Sequence, residues 1–185
     1  MTIAESRRGH NFTALSRLAV FTFLALLLEP SLADDQEAFS HPGKAVYKKA
    51  NCVGCHKWHG GGGGGYGGVA LSLRATVLDA ETLKLVIRCG RPGTRMPYHH
   101  RKAYRGEDRS CYETTAAELA DAAPPRARFF LRQPAIDDVV DYIQRYVQGR
   151  GTPNHEDCVR FWGPNARRCR AMAAAESASK EQDNK

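Results

Sequence analysis

The sequence predicts an all-α fold, because its most regular segments carry apolar residues at helical spacing next to helix start and stop signals. The clearest segment begins at Pro134, a residue favoured in the first turn of a helix, and ends before Gly149. Its predicted buried face consists of Ile136, Val139, Val140, Ile143 and Val147.

Two further helices are predicted nearer the amino terminus. Asp79 can cap a helix over about 80–89, and Gly90 is a stop signal after it. The Ser40-His41-Pro42 sequence predicts an earlier capped helix that runs into the segment beginning at Cys52. Its apolar positions are Val46, Tyr47, Ala50 and Val53.

Other stretches predict loops and extensions. Residues 60–68 are nearly all glycine, which costs about 1 kcal/mol per residue in a helix, so they predict a loop. The polar stretch 98–133 predicts an elaborated loop, with a capping box from Thr115 to Glu118 that favours one short helix. Residues 172–185 are expected to be disordered or to form a frayed helix.

The amino terminus has the pattern of a secretory signal peptide, with cleavage expected after Ala33. Basic residues precede an apolar run at 18–28, which is short against the ~20 residues needed to span a bilayer as a retained anchor. The chain of 185 residues has a formal net charge of +7. Because export makes nucleic acid an unlikely target, an acidic protein is the expected partner, and the expected location is the periplasm.

The chemistry of the chain centres on Cys52-x-x-Cys55-His56. Two cysteines at this spacing can form two thioether bonds to haem, and the adjoining histidine can bind the iron. A thioredoxin-like redox pair, half of a zinc site or a structural disulfide are the alternatives. None of these explains His56, so the pattern predicts one covalently attached haem c.

Met96 is the predicted second axial ligand of the iron. It lies between turn-forming residues in Gly93-Thr94-Arg95-Met96-Pro97, where an extended loop can present a thioether. Core packing is the ordinary role of a single methionine. The competing ligands are His59, His99 and His100.

Together these features resemble the small monohaem class I cytochromes c. The resemblance covers roughly 38–148 and rests on Gly43-x-x-Val46-Tyr47, the Cys52 motif, Met96-Pro97 and the closing helix. It implies an all-α fold around one haem, with terminal helices packed together and with His56 and Met96 as ligands on opposite faces. We expect a domain at 34–149, a disulfide-linked extension at 150–171 and a tail at 172–185.

Two features depart from that family pattern. No proline follows His56 before Pro92, although the family commonly uses a proline carbonyl to accept the N–H of the ligand imidazole. A backbone carbonyl in the 60–70 loop is expected to replace it. The second departure is the long 98–133 insertion.

Four cysteines remain outside the haem motif, and in an oxidising compartment an even number predicts disulfides. Three pairings are possible, and we favour Cys89 with Cys111 and Cys158 with Cys169. The first would close a loop that contains Met96.

A cationic rim is predicted around Met96. A solvated polar loop is the ordinary explanation, whereas a rim beside a redox centre would steer an acidic partner. We define the cationic rim as Arg88, Arg91, Arg95, Arg101, Lys102, Arg105 and Arg109.

The sequence therefore predicts an exported protein that transfers single electrons between periplasmic redox proteins, for example from a dehydrogenase to an oxidase, and that is not itself an enzyme. One alternative is a redox subunit of a larger complex, docked through Phe161 and Trp162 in the extension. The other is a small haem enzyme with an open iron position.

Overall fold

The computed structural model describes residues 31–64 and 69–183. The chain divides into two compact units, Met1–Asp34 and Asp35–Lys185, and the second unit is described below. The predicted signal peptide lies almost wholly outside the described residues, and its cleavage stays a prediction. Within the described residues, no helix is both long and apolar enough to cross a membrane.

The described residues are helical and contain no strand, which confirms the predicted all-α class. Two isolated backbone bridges, Gly63 with Ala70 and Tyr98 with Arg126, join loop segments. The helices are α1 (Ser31–Ser40), α2 (Pro42–Lys49), α3 (Val53–His56), α4 (Ala80–Cys89), α5 (Ala116–Leu119), α6 (Gln133–Tyr146), α7 (His155–Trp162) and α8 (Arg167–Asp183), with a 3₁₀ turn at Ala120–Ala122.

The core forms where α2 and α4 pack against α6. The five apolar positions predicted for the face of α6 are all buried. Gly43 lets α2 approach α6 closely, because a Cβ at this position would collide with the Asp138 carbonyl oxygen and lie 2.6 Å from Tyr142 Cβ. The terminal helices are therefore packed together, as the resemblance implied.

The start of α2 agrees with the sequence prediction, whereas its end differs. His41 is the N-cap, and its Nδ1 accepts a hydrogen bond from the Gly43 amide at 3.1 Å. The helix ends at Lys49, and Asn51 has φ of 63°, a left-handed conformation that asparagine tolerates better than most residues. This turn separates α2 from the Cys52 motif, so the prediction of one continuous helix was wrong.

The other predicted caps are confirmed. Asp79 caps α4 by accepting a hydrogen bond from the Thr82 amide at 2.8 Å, and Gly90 ends it with φ of 68°. Thr115 and Glu118 form the predicted capping box of α5. Both disulfides that we favoured, Cys89 with Cys111 and Cys158 with Cys169, are present.

Phe161 of the extension packs into the core. It is 1% exposed and its ring contacts those of Tyr47 and Trp58. The expectation that Phe161 lies on a docking surface is therefore wrong, whereas Trp162 is half-buried and a docking role of the extension stays a prediction. Residues 172–183 continue α8, whose first turn is held by the Cys158–Cys169 disulfide and whose Glu176 accepts a hydrogen bond from the His155 amide.

We predict that Gly43→Ala lowers the free energy of unfolding by about 1–3 kcal/mol, because the added methyl group overpacks the α2–α6 contact. This loss occurs despite the gain of about 1 kcal/mol that alanine brings to a helix. Urea unfolding of the two proteins measures the difference. Gly151→Ala is the control, since a Cβ there meets no atom within 4 Å. A Gly43→Ala protein as stable as the parent would contradict the packing argument.

Candidate functional site

The cysteine motif occupies one short helical turn. The amide of His56 donates to the Cys52 carbonyl at 2.8 Å, and the amide of Lys57 donates to the Val53 carbonyl at 2.9 Å. Cys52 and Cys55 are three residues apart and therefore lie on the same side of this turn. Both are half-buried free thiols, whereas the other four cysteines form disulfides.

The ring of His56 is oriented by a backbone carbonyl. Its Nδ1 lies 3.0 Å from the Leu71 carbonyl oxygen. Because a carbonyl only accepts hydrogen bonds, Nδ1 carries the proton and Nε2 keeps a free lone pair. Burial lowers the pKa of His56, although the Leu71 carbonyl acts in the opposite direction. The neutral imidazole is the form that binds a metal ion.

The acceptor at Leu71 lies one residue beyond the 60–70 segment in which we expected it. The loop folds back at this point, since the amide of Gly62 donates to the His56 carbonyl at 3.2 Å. Gly62 has φ of 68°, and a Cβ there would lie 2.8 Å from the carbonyl carbon of Leu71. A glycine is thus required where the loop brings Leu71 back to His56.

Arg74 fixes the far end of this loop. Its guanidinium is buried and donates to the carbonyls of His59, Arg150 and Gly151. It also forms an ion pair with Asp157 at 2.8 Å, in which both side chains are 7% exposed. The loop, the segment after α6 and the start of α7 are therefore joined through one side chain.

Met96 lies in a tight turn next to the core. Its amide donates to Thr94 Oγ1 at 3.1 Å, and its carbonyl accepts from the Arg91 amide at 3.2 Å. The partly buried Met96 side chain packs against the same apolar cluster as the side chain of Cys52. The structure thus brings both predicted site residues to the border of one core.

The 98–133 insertion holds the Met96 segment from outside. The Gly93 amide donates to the Ala122 carbonyl at 2.7 Å, which joins the two stretches, and within the insertion the Leu131 amide donates to the His99 carbonyl at 2.8 Å. Tyr98 adds two more, with its amide donating to the Pro125 carbonyl and its carbonyl accepting from the Ala127 amide, each at 3.0 Å. The insertion therefore stabilises the turn that contains Met96.

Comparison with known proteins gives one match. The family model described as cytochrome c matches residues 40–146, which include the Cys52 motif, Met96 and the whole of α6. The chain belongs to the cytochrome c family. No curated protein and no solved structure matches the chain.

Membership of the cytochrome c family implies a covalently bound haem c and haem-based electron transfer. The residues present fit that group. Two half-buried free thiols stand on one turn, and His56 Nε2 and the Met96 thioether are both unprotonated donors. The carbonyl of Leu71 orients His56. The apolar side chain of Leu71 is 67% exposed beside the motif.

The Cys52 thiol of this cytochrome differs from the nucleophilic thiol of a redox-active dithiol. Burial raises the pKa of Cys52 to about 12. The nucleophilic cysteine of a thioredoxin-like motif instead has a lowered pKa. In the described ranges, no group of three or more His, Cys, Asp or Glu side chains is placed to hold a metal ion.

The histidines that compete with Met96 lie in three different environments. His59 Nδ1 accepts from the Gly61 amide at 3.0 Å, and its ring lies near Arg74 and Asp157. His100 is near the charged side chains of the insertion. His99 is 4% exposed, and its Nδ1 lies 3.1 Å from the Phe129 carbonyl, so its Nε2 keeps a lone pair. His99 therefore keeps a nitrogen that can bind a metal ion and is a chemically competent competitor.

The cationic rim of the cytochrome is not uniform. Arg109 pairs with Glu118, and Arg88 is partly buried with an unpartnered Nε. The rim residues Arg91, Arg95, Arg101, Lys102 and Arg105 are exposed.

Sequence reasoning missed two residues of the site, Leu71 and Arg74. Leu71 acts through its backbone carbonyl, which every residue type carries, so its side chain gives no signal. Arg74 was one basic residue among 27 Lys and Arg in the sequence, and only its burial distinguishes it.

Proposed function

We propose that the chain is an exported monohaem c-type cytochrome that carries single electrons between periplasmic redox proteins, for example from a dehydrogenase to an oxidase. The observation that carries the proposal is the single Cys52-x-x-Cys55-His56 motif, the only place with free cysteines in a chain of the cytochrome c family. Periplasmic location is supported by the two disulfides, which are typical of an oxidising compartment.

In this proposal, Cys52 and Cys55 hold the haem through thioether bonds, and His56 and Met96 are its axial ligands. A bound haem c supplies a one-electron couple between ferric and ferrous iron. His56 contributes a neutral imidazole whose orientation is set by the Leu71 carbonyl. Met96 contributes a thioether, which favours the ferrous state relative to a second imidazole.

We propose electron transfer and not catalysis because hydrogen bonds hold both predicted axial ligands, at the ring of His56 and at the backbone of Met96. A methionine held by backbone hydrogen bonds, a disulfide and the insertion is poorly placed to leave the iron for a substrate. An exogenous ligand needs an open coordination position, which a small haem enzyme keeps free. Slow binding of carbon monoxide is therefore expected, and rapid binding would favour the enzyme alternative.

We predict that Met96→Ala abolishes the sulfur-to-iron charge-transfer band in the optical spectrum of the oxidised, haem-loaded protein. The band requires a thioether ligand, and no other residue of the Met96 turn can supply one. The spectrum of His99→Gln serves as the control and should keep the band. A parent protein without the band, whose spectrum changes in His99→Gln, would assign the iron to His99 and contradict Met96 ligation.

The partner is proposed to be an acidic redox protein that docks on the cationic rim. Five exposed rim cations lie close in sequence to Met96, and long-range attraction of this kind acts mainly on association rates. The screening length is about 10 Å at 0.1 M salt, so added salt suppresses the attraction.

We predict opposite salt responses for two small oxidants of the reduced protein. Oxidation by the anion ferricyanide should slow as ionic strength rises, whereas oxidation by the cation tris(1,10-phenanthroline)cobalt(III) should accelerate, both measured by stopped flow. Arg95→Gln should weaken the salt response to ferricyanide, and Lys180→Gln, near the end of α8, should not. Rates that are indifferent to ionic strength would contradict the proposed steering role of the rim.

A further inference from the structure

The insertion contains a cavity that shares Arg101 and Arg105 with the cationic rim. Its volume is about 170 Å³, and it is lined by Tyr98, Arg101, Arg105, Arg126 and Phe130. Three of its five lining residues are arginines, and none is acidic. We propose that this cavity binds a small multivalent oxyanion, of the phosphate or polycarboxylate type.

Two of the arginines lie over an aromatic ring, and their N–H donors have no hydrogen-bond partner among the described residues. The guanidinium carbon of Arg126 lies 4.7 Å from the centre of the Phe130 ring, and that of Arg101 lies 5.5 Å from it. A cation–π contact uses the charge or the flat face of the guanidinium group. The N–H donors point outward from the edge of the group. The ring therefore restrains both cations without consuming the hydrogen bonds that recognise an oxyanion.

The charge of the cavity is uncompensated. Within the described part of the chain, no carboxylate forms an ion pair with Arg101, Arg105 or Arg126. The carboxylate of Asp108, three residues after Arg105, accepts hydrogen bonds from Ser110 instead. Three guanidinium groups that line one cavity, with no ion pair among the described residues, favour a ligand that carries more than one negative charge.

The backbone beneath the cavity is fixed before any ligand binds. Tyr98 and Arg126 form a parallel bridge, with hydrogen bonds of 3.0 Å on either side. The ring of Tyr98 contacts that of Tyr104, whose hydroxyl donates to the Cys89 carbonyl at 2.9 Å next to the disulfide. A site anchored in this way loses little conformational freedom on binding, which favours affinity.

The size of the cavity selects for a small ligand. Pockets that enclose drug-sized molecules have volumes of about 300–1,000 Å³, well above that of this cavity. Phosphate and small polycarboxylates such as citrate are small anions of the required charge. The proposal goes beyond electron transfer and does not depend on which residue is the second axial ligand.

The test is isothermal titration calorimetry of the haem-loaded protein with inorganic phosphate and, separately, with citrate, at ionic strength held constant with sodium chloride. Saturable one-to-one binding of either anion is expected. Arg126→Gln should weaken it about tenfold or more, because it removes a charged hydrogen bond. Comparison of the two anions shows whether the site prefers phosphate or carboxylate.

Arg128→Gln is the matched control, because Arg128 also lies over a phenylalanine ring, that of Phe129, but does not line the cavity. It should change the affinity less than twofold. Arg105→Gln is the second cavity variant, and its side chain makes no aromatic contact among the described residues, so its effect does not depend on the Phe130 platform.

Three outcomes would overturn the proposal. The first is the absence of saturable binding of both anions. The second is an equal loss of affinity in Arg126→Gln and Arg128→Gln, which indicates diffuse attraction. The third is binding of a poly-glutamate peptide, lost in Arg126→Gln, without binding of phosphate or citrate, which would assign the cavity to a docked protein. Binding that is lost in Arg126→Gln and Arg105→Gln but kept in Arg128→Gln would establish the site.

Discussion

The region around His56 depends on the ion pair between Arg74 and Asp157. The Arg74 guanidinium also donates hydrogen bonds to three backbone carbonyls. Removing one partner of a buried ion pair typically costs about 3–5 kcal/mol, because the other charge remains without compensation. Here the pair joins the glycine-rich loop to the extension, and that loop carries the Leu71 carbonyl. The orientation of the His56 ring therefore depends on Asp157, which lies 83 positions after Arg74 in the sequence.

A separate set of contacts stabilises the Met96 side of the site. The Met96 turn is enclosed by the Cys89–Cys111 disulfide and by backbone hydrogen bonds to the insertion. A disulfide that closes a loop of this length stabilises the folded state by about 3 kcal/mol, because it lowers the conformational entropy of the unfolded chain. Tyr112 strengthens the same region, since its hydroxyl donates to the Gly90 carbonyl at 2.7 Å. The insertion, which looked like an elaborated loop, is thus a structural part of the site.

Features with a local physical cause were predictable from the sequence. The caps of α4 and α5 and the buried face of α6 follow from side-chain chemistry at short spacing. The break at Asn51 was missed because a left-handed residue leaves little trace in an apolar pattern. Burial of Phe161 and the role of Arg74 depend on contacts across the chain, which spacing does not record.

The central claim is that one haem is attached through Cys52 and Cys55. The most direct test is peptide mass spectrometry of the protein expressed with a periplasmic haem-attachment system and denatured before digestion. One haem per chain, carried by the peptide that contains Cys52 and Cys55, is the predicted result. A chain without covalent haem, a second haem or attachment at another peptide would contradict the account.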